Sequence, residues 1–214
     1  MSDIPLEYVH REPEAESESA VFVLHGRGAD EQDLLPVAEQ LPGDHHVISF
    51  RAPDHLQGGY TWYQLDLSGG GLENSQPHSA EFRRSLDIVA ESVDAAVATF
   101  NLDPDRLGLL GFSQGAITSF SSVLEAPDRF AWVVGLHGYL AEDHADAEPE
   151  GIKGKPIFVG AGTSDQIIPA ARSEDAAERL HDIGADVRFE TFNTGHGIGQ
   201  GELEAVVEFV EEHA

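Results

Sequence analysis

Short uninterrupted apolar runs alternate along this chain with longer segments in which apolar residues recur every three or four positions. The runs lie at 20–24, 47–50, 107–110, 132–136, 156–159 and 187–192. Most lack polar alternation, the pattern of strands covered on both faces in a parallel sheet, whereas 187–192 (Val-Arg-Phe-Glu-Thr-Phe) alternates and suits an edge. A further strand is predicted around Leu6-Glu7-Tyr8-Val9. Between the runs, Phe82, Leu86, Val89, Val93, Val97 and Phe100 share one helical face. Leu203, Val206, Val207 and Val210 do the same opposite Glu204, Glu208 and Glu211. Helices are also predicted over 30–41, 114–125 and 169–183, the last with Pro169 in its first turn. Strand and helix in strict alternation define an α/β domain with helices on both faces of its sheet, here a single one over 1–214. Residues 54–79 contain Gly58-Gly59 and Gly69-Gly70-Gly71 with little periodicity, so a long loop is expected there; loops of that length are commonly functional or mobile.

The run at 107–110 leads into Gly111-Phe112-Ser113-Gln114-Gly115 and then a helical segment. A Gly-x-Ser-x-Gly turn from strand to helix holds its serine in a strained conformation at the sheet's C-terminal edge, where larger side chains two residues to either side would collide. The hydroxyl then stands at a helix N-terminus, whose partial positive charge favours a developing oxyanion. Ser113 is therefore the candidate nucleophile, against the alternative of an ordinary serine in a glycine turn.

A serine hydroxyl needs a base, and histidine titrates in the right range. Among eleven histidines, His196 in Thr194-Gly195-His196-Gly197-Ile198 follows the last strand and falls on the rim where open α/β sheets bind ligands. His137, directly after the run 132–136, is its strongest rival, while His181 lies on a helix and His45-His46 precede a strand. The acid that orients the base should come between serine and histidine in chain order. Asp165 in Gly162-Thr163-Ser164-Asp165-Gln166-Ile167-Ile168-Pro169 fits, although an aspartate there could also merely cap the next helix; Asp143 and Asp146 are weaker rivals. Tetrahedral intermediates need two backbone donors. Gln114, following the nucleophile, supplies one, and Arg27 in the loop His25-Gly26-Arg27-Gly28 supplies the other. The Arg27 side chain either binds an acidic substrate group, pairs with Asp30 or Asp33, or points into water.

Together His25-Gly26-x-Gly28, Gly111-Phe112-Ser113-Gln114-Gly115, Asp165-x-x-Ile168-Pro169 and Gly195-His196-Gly197-Ile198 resemble the phospholipase/carboxylesterase family of α/β-hydrolases, which includes bacterial carboxylesterases and acyl-protein thioesterases. The resemblance runs from about residue 18 to the end and takes in Arg51-Ala52-Pro53. It implies the α/β-hydrolase fold, a mostly parallel sheet of about seven strands. It also implies a triad of Ser113, Asp165 and His196 and an oxyanion hole of Arg27 and Gln114. Gly59-Tyr60-x-Trp62-Tyr63 looks like the family's aromatic loop, which would put residues 54–79 over the active site and Trp62 and Tyr63 against the substrate, the alternative being that the two rings only cover a core edge. Ala161-Gly162 stands where many members carry His-Gly, a histidine outside the triad, and Arg27 is bulkier than the residue many members carry. The expected activity is hydrolysis of short- to medium-chain carboxylic esters through an acyl-enzyme, with lysophospholipase or acyl-thioesterase activity as alternatives. No cofactor and no metal are required.

Composition narrows the remaining classes. No G-x-G-x-x-G follows an early strand, and Gly154-Lys155 runs into Pro156, so dinucleotide and P-loop chemistry have no motif here. A non-catalytic binding module on the same fold would typically have lost a triad member. A metal hydrolase built on His45-His46 is disfavoured because adjacent strand residues point to opposite faces. With no cysteine, thiolate catalysis and disulfides are impossible. No apolar run reaches the ~20 residues of a membrane span, and the first residues lack a basic-then-apolar leader, so a cytoplasmic location is expected, as a monomer or homodimer acting on a small-molecule ester. Twelve Lys and Arg against 39 Asp and Glu give a net charge of −27, spread along the chain. That disfavours nucleic-acid and anionic-membrane partners and implies adaptation to high salt, because self-repulsion of this size needs screening. The melting temperature is expected to rise steeply between low and molar KCl in a thermal-denaturation series, and a flat response would refute the salt adaptation.

Overall fold

Apolar residues at consecutive positions of a strand must be covered from both sides, and this requirement sets the layers. In the computed structural model, which describes residues 4–214, seven strands form one sheet. They are β1 (Tyr8–Arg11), β2 (Ala20–Leu24), β3 (His46–Phe50), β4 (Leu107–Phe112), β5 (Trp132–Leu136), β6 (Pro156–Gly162) and β7 (Asp186–Phe192). Their spatial order is β1-β3-β2-β4-β5-β6-β7, with β1 antiparallel to β3 and every other pairing parallel. The alternating run at 186–192 is indeed an edge strand, and the expected strand near residues 6–9 forms two residues later as the other edge.

Five helices cover the sheet: α1 (Leu35–Ala38), α2 (Ser79–Phe100), α3 (Gln114–Glu125), α4 (Ala170–Asp182) and α5 (Gln200–His213). On one face Phe22, Leu24, Ile48 and Leu109 meet Phe82, Val89 and Val93 of α2, Ile117 and Phe120 of α3 and Leu180 of α4. On the other, Val21, Val23, Leu110, Val134 and Phe158 meet Leu35 of α1 and Val206, Phe209 and Val210 of α5. The two faces take alternate residues of the same strands, which is why those strands read as unbroken apolar runs.

Three expectations need correction. The helix expected over 30–41 shrinks to the four residues of α1, flanked by turns, because Pro36 lies inside that stretch and removes a donor. Pro169 is the cap residue immediately before α4, not part of its first turn. Residues 54–79 hold two small antiparallel ribbons, Asp54–Leu56 with Gly59–Thr61 and Leu65–Asp66 with Gln76–Pro77, and a short helical turn at Leu72–Asn74. Strands of two or three residues are too short to leave a periodic signal.

Phe209 fills the α5 face of the core, its ring 5.6 Å from that of Phe158. Phe209→Ala is expected to lower unfolding stability by about 3–5 kcal/mol in urea denaturation. Because the residue is remote from the rim described next, specific activity of the folded fraction should be retained.

Candidate active site

Parallel strands linked by helices all end on one rim, and Ser113, Asp165 and His196 lie there. Ser113 joins β4 to α3 with φ 54° and ψ −117°, a strained conformation for a residue with a side chain. The neighbouring glycines are required by close approach: a Cβ on Gly115 would lie 1.9 Å from the Leu24 carbonyl oxygen, and one on Gly111 2.3 Å from the Gly115 carbonyl oxygen. The Ser113 N–H donates to Leu136 O at 2.9 Å, which ties the turn to the end of β5.

The Ser113 hydroxyl donates to His196 Nε2 at 3.0 Å, and His196 Nδ1 donates to Asp165 Oδ2 at 2.7 Å. That second bond fixes the tautomer and leaves Nε2 free to accept the serine proton. Asp165 Oδ1 receives the Ile167 and Ile168 N–H groups at 2.8 and 3.0 Å, so the aspartate does begin the turn into α4, but it uses its other oxygen for the imidazole. Burial works to raise the Asp165 pKa, but hydrogen bonds from His137, His196 and these two amides outweigh it and hold the carboxyl below its ordinary range. Asp165 is thus an anion fixed behind the His196 ring.

His137, the rival base, does not hydrogen-bond to Ser113. It donates from Nδ1 to the same Asp165 Oδ2 at 2.9 Å, while its Nε2 meets Glu202 Oε2 at 3.1 Å. Sequence reasoning missed Glu202, which reads as one more acid on an amphipathic helix. His137, Asp165 and His196 are the group among the described residues whose ligand atoms gather closely enough to suggest a metal, all within 4.8 Å of one another. Two ligands sharing a zinc at ~2.0–2.2 Å would stand roughly 3.3 Å apart. The 2.7 and 2.9 Å separations here are direct hydrogen bonds.

Among the described residues, no group occupies the backbone N–H of Gln114 or of Arg27, leaving both able to bind an oxyanion. The Gln114 side chain serves a different purpose. Its Oε1 accepts from Thr61 Oγ1 and the Trp62 N–H, and its Nε2 donates to Tyr63 O. The loop carrying Arg27 is anchored through His25, whose Nδ1 donates to Gly26 O at 2.7 Å and whose Nε2 accepts the Ala52 N–H at 3.0 Å. Burial holds the His25 pKa below its ordinary value, as a ring accepting through one nitrogen requires.

A cavity of about 270 Å³ opens beside Ser113, walled by Leu65, Leu72, Ile117, Tyr139, Ile167 and Ile168, with Arg27, Ser75, Gln114 and His196 completing it. Leu72 and Ile167, two of three large apolar side chains markedly exposed among the described residues, are on this wall. Trp62 and Tyr63, expected against the substrate, are fully buried instead and do not line the cavity. Trp62 donates from Nε1 to His25 O at 2.8 Å and Tyr63 packs edge-on to Phe82, so both brace the wall from behind. Aromatic spacing in a loop carries no sign of which way the rings turn. Arg27 forms no ion pair with Asp30 or Asp33 among the described residues; its exposed side chain lines the cavity.

Comparison with known proteins places this geometry in context. The chain matches the family model described as Phospholipase/Carboxylesterase over residues 8–214. An acyl-protein thioesterase 1 of Neurospora crassa is 26% identical over 187 residues, covering 84% of this chain and 72% of that protein. The crystal structure of the Bacillus cereus carboxylesterase superposes with a TM-score of 0.87 at 25% identity, covering 99% of this chain and 96% of that one. Esterase PE8 gives a TM-score of 0.86 at 26% identity, over 98% and 99% of the two chains.

Gln114→Ala keeps the backbone N–H and deletes the amide that holds residues 61–63. Leaving the buried Trp62 N–H without a partner is expected to cost about 1–3 kcal/mol, read as a lower urea midpoint.

Proposed function

The chain belongs to the phospholipase/carboxylesterase family, and on that premise we propose that it is a serine carboxylesterase cleaving short- to medium-chain carboxylic esters through an acyl-enzyme. The observation that carries this reading is the unbroken row of hydrogen bonds from Ser113 Oγ through His196 to Asp165 at the mouth of an apolar cavity. As Ser113 Oγ attacks the ester carbonyl carbon, His196 Nε2 takes its proton. The carbonyl oxygen becomes an oxyanion held by the N–H groups of Arg27 and Gln114. Collapse of this intermediate breaks the bond to the alkoxy oxygen, and His196 returns the proton to the departing alcohol. A water molecule then gives a proton to His196 and attacks the acyl-enzyme. The second intermediate releases the acid as the proton passes back to Ser113 Oγ. Asp165 stabilises the imidazolium formed in each half and keeps the ring from turning.

The modest cavity and its Arg27 rim favour a short acyl group over a long lipid chain. Thioesters and lysophospholipids would be opened by the same groups, and the likeness to a fungal acyl-protein thioesterase supports the thioester as the second reading. No helix of the described residues is long and apolar enough to cross a membrane.

Ser113→Ala is expected to reduce kcat/KM on p-nitrophenyl esters by about 10⁴-fold or more, as loss of a triad member does elsewhere, and to abolish labelling by a fluorophosphonate. Retained hydrolysis by the purified variant would refute the serine mechanism. Across esters of rising acyl length assayed in high salt, kcat/KM should fall once the chain exceeds the cavity.

A further inference from the structure

The proposed triad accounts for three of the five polar side chains connected in this cluster. His137 and Glu202 remain, both without measurable exposure. A carboxylate and an imidazole withdrawn from water are costly, and replacing a buried ionic pair by apolar residues is often neutral or stabilising, so stability alone is a weak reason for their presence.

Their geometry is directed at the site. His137 follows β5 with φ 53°, a left-handed conformation uncommon for a residue with a side chain, and its N–H donates to Gly160 O at 2.8 Å. This placement aims Nδ1 at the same Asp165 oxygen that His196 uses. Glu202 reaches the other ring nitrogen from the first turn of α5, and the space for it exists because residue 160 is glycine: a Cβ there would lie 2.4 Å from Glu202 Oε1. The titratable groups facing His137 are Asp165 from the loop after β6, Glu202 from α5 and His196 from the loop after β7, its ring edge-on at 5.6 Å. Phe112 of β4 supplies an uncharged ring at 5.4 Å.

We propose that His137 and Glu202 are positioning residues that form an outer charged pair behind Asp165, holding its carboxylate in register and offsetting its charge, and so set the pH at which His196 serves as base. The proposal rests on the serine mechanism above. Both His137 ring nitrogens face carboxyl oxygens, at 2.9 and 3.1 Å, the arrangement an imidazolium satisfies by donating on both sides. Burial opposes that charge, but Glu202 and Asp165 together raise its pKa above the ordinary histidine value. A cation 2.9 Å from Asp165 weakens the carboxylate's hold on a proton at His196. The proposed pair would thereby let the proton of Ser113 be accepted at lower pH than Asp165 alone would allow. Removing the cation leaves Asp165 uncompensated, so protonated His196 becomes more favourable and the acid limb of the pH profile moves upward.

The test is the pH dependence of kcat/KM on a neutral p-nitrophenyl ester for wild type and His137→Gln, with ring nitrogen-15 NMR of the wild type and Glu202→Gln. The expected result is an acid-limb midpoint about one pH unit higher in His137→Gln, whatever the height of the plateau. The NMR should show both His137 ring nitrogens protonated in wild type near pH 7.5, and loss of that protonation at lower pH in Glu202→Gln. An unmoved midpoint in folded His137→Gln, or a neutral His137 ring in the wild-type spectrum, would overturn the proposal. If His137→Gln does not fold, the spectra decide alone. They do not depend on turnover, so failure of the outer pair remains distinguishable from failure of the serine mechanism, which Ser113→Ala reports.

Discussion

The 3.0 Å hydrogen bond between Ser113 Oγ and His196 Nε2 joins residues 83 positions apart, and the order of the parallel strands makes it possible. Because β4, β5, β6 and β7 are consecutive neighbours running the same way, their C-terminal ends form a row. The backbone stitches that row together: Ser113 N–H to Leu136 O, His137 N–H to Gly160 O, Thr163 N–H to Phe192 O and Ser164 N–H to Thr194 O. Ser113 follows β4, His137 follows β5, Asp165 follows β6 and His196 comes after β7. Asp165 consequently lies between two histidines, one from the strand on each side, and its contact with both is a product of strand order as much as of side-chain chemistry.

Such a row demands rigid corners. Ser113 and His137 leave adjacent strands with φ of 54° and 53°, conformations that cost on the order of 1–3 kcal/mol each where a side chain is present. The cost is tolerable because each corner is flanked by a strand with both faces covered and by a helix packed directly on it. Gly115 meets the Leu24 carbonyl so closely that α3 starts against the end of β2, which brings the Gln114 N–H near the loop carrying Arg27. The strained corner and the pair of free backbone donors are therefore products of one close approach.

The strands, the Gly-x-Ser-x-Gly corner and the long helices were legible in the sequence because each carries a local signal: an unbroken apolar run, glycines at fixed offsets, or a 3.6-residue period. Ser113, His196 and Asp165 could be placed on the rim from strand ends alone, although only the folded chain reveals that Asp165 divides its two oxygens between a helix start and two imidazoles. What stayed hidden depends on direction instead of position. Trp62 and Tyr63 stand in an aperiodic segment, where nothing local says that their rings turn inward. Glu202 shares a helix with Glu204, Glu208 and Glu211 and differs from them only in facing the sheet beside a glycine of β6. The pairing of His137 with Asp165 required knowing that β5 and β6 are neighbours.

The charge of the molecule bears on the outer pair proposed for its interior. With 39 acidic residues against 12 lysines and arginines, the summed charge of the molecule is strongly negative. The cluster buries two carboxyl-bearing side chains, Asp165 and Glu202, on either side of the His137 ring. Like charges withdrawn from water repel more strongly than at the surface, and a positive charge between them offsets that repulsion. His137 lies between them with a ring nitrogen toward each, the place from which the proposed imidazolium would join the two acids. A lysine would carry its charge on a single point at the end of a flexible stem, whereas the imidazole offers two fixed donors on opposite sides of one ring. That shape lets a single residue reach Glu202 and Asp165 at once, and it sets the distance between them.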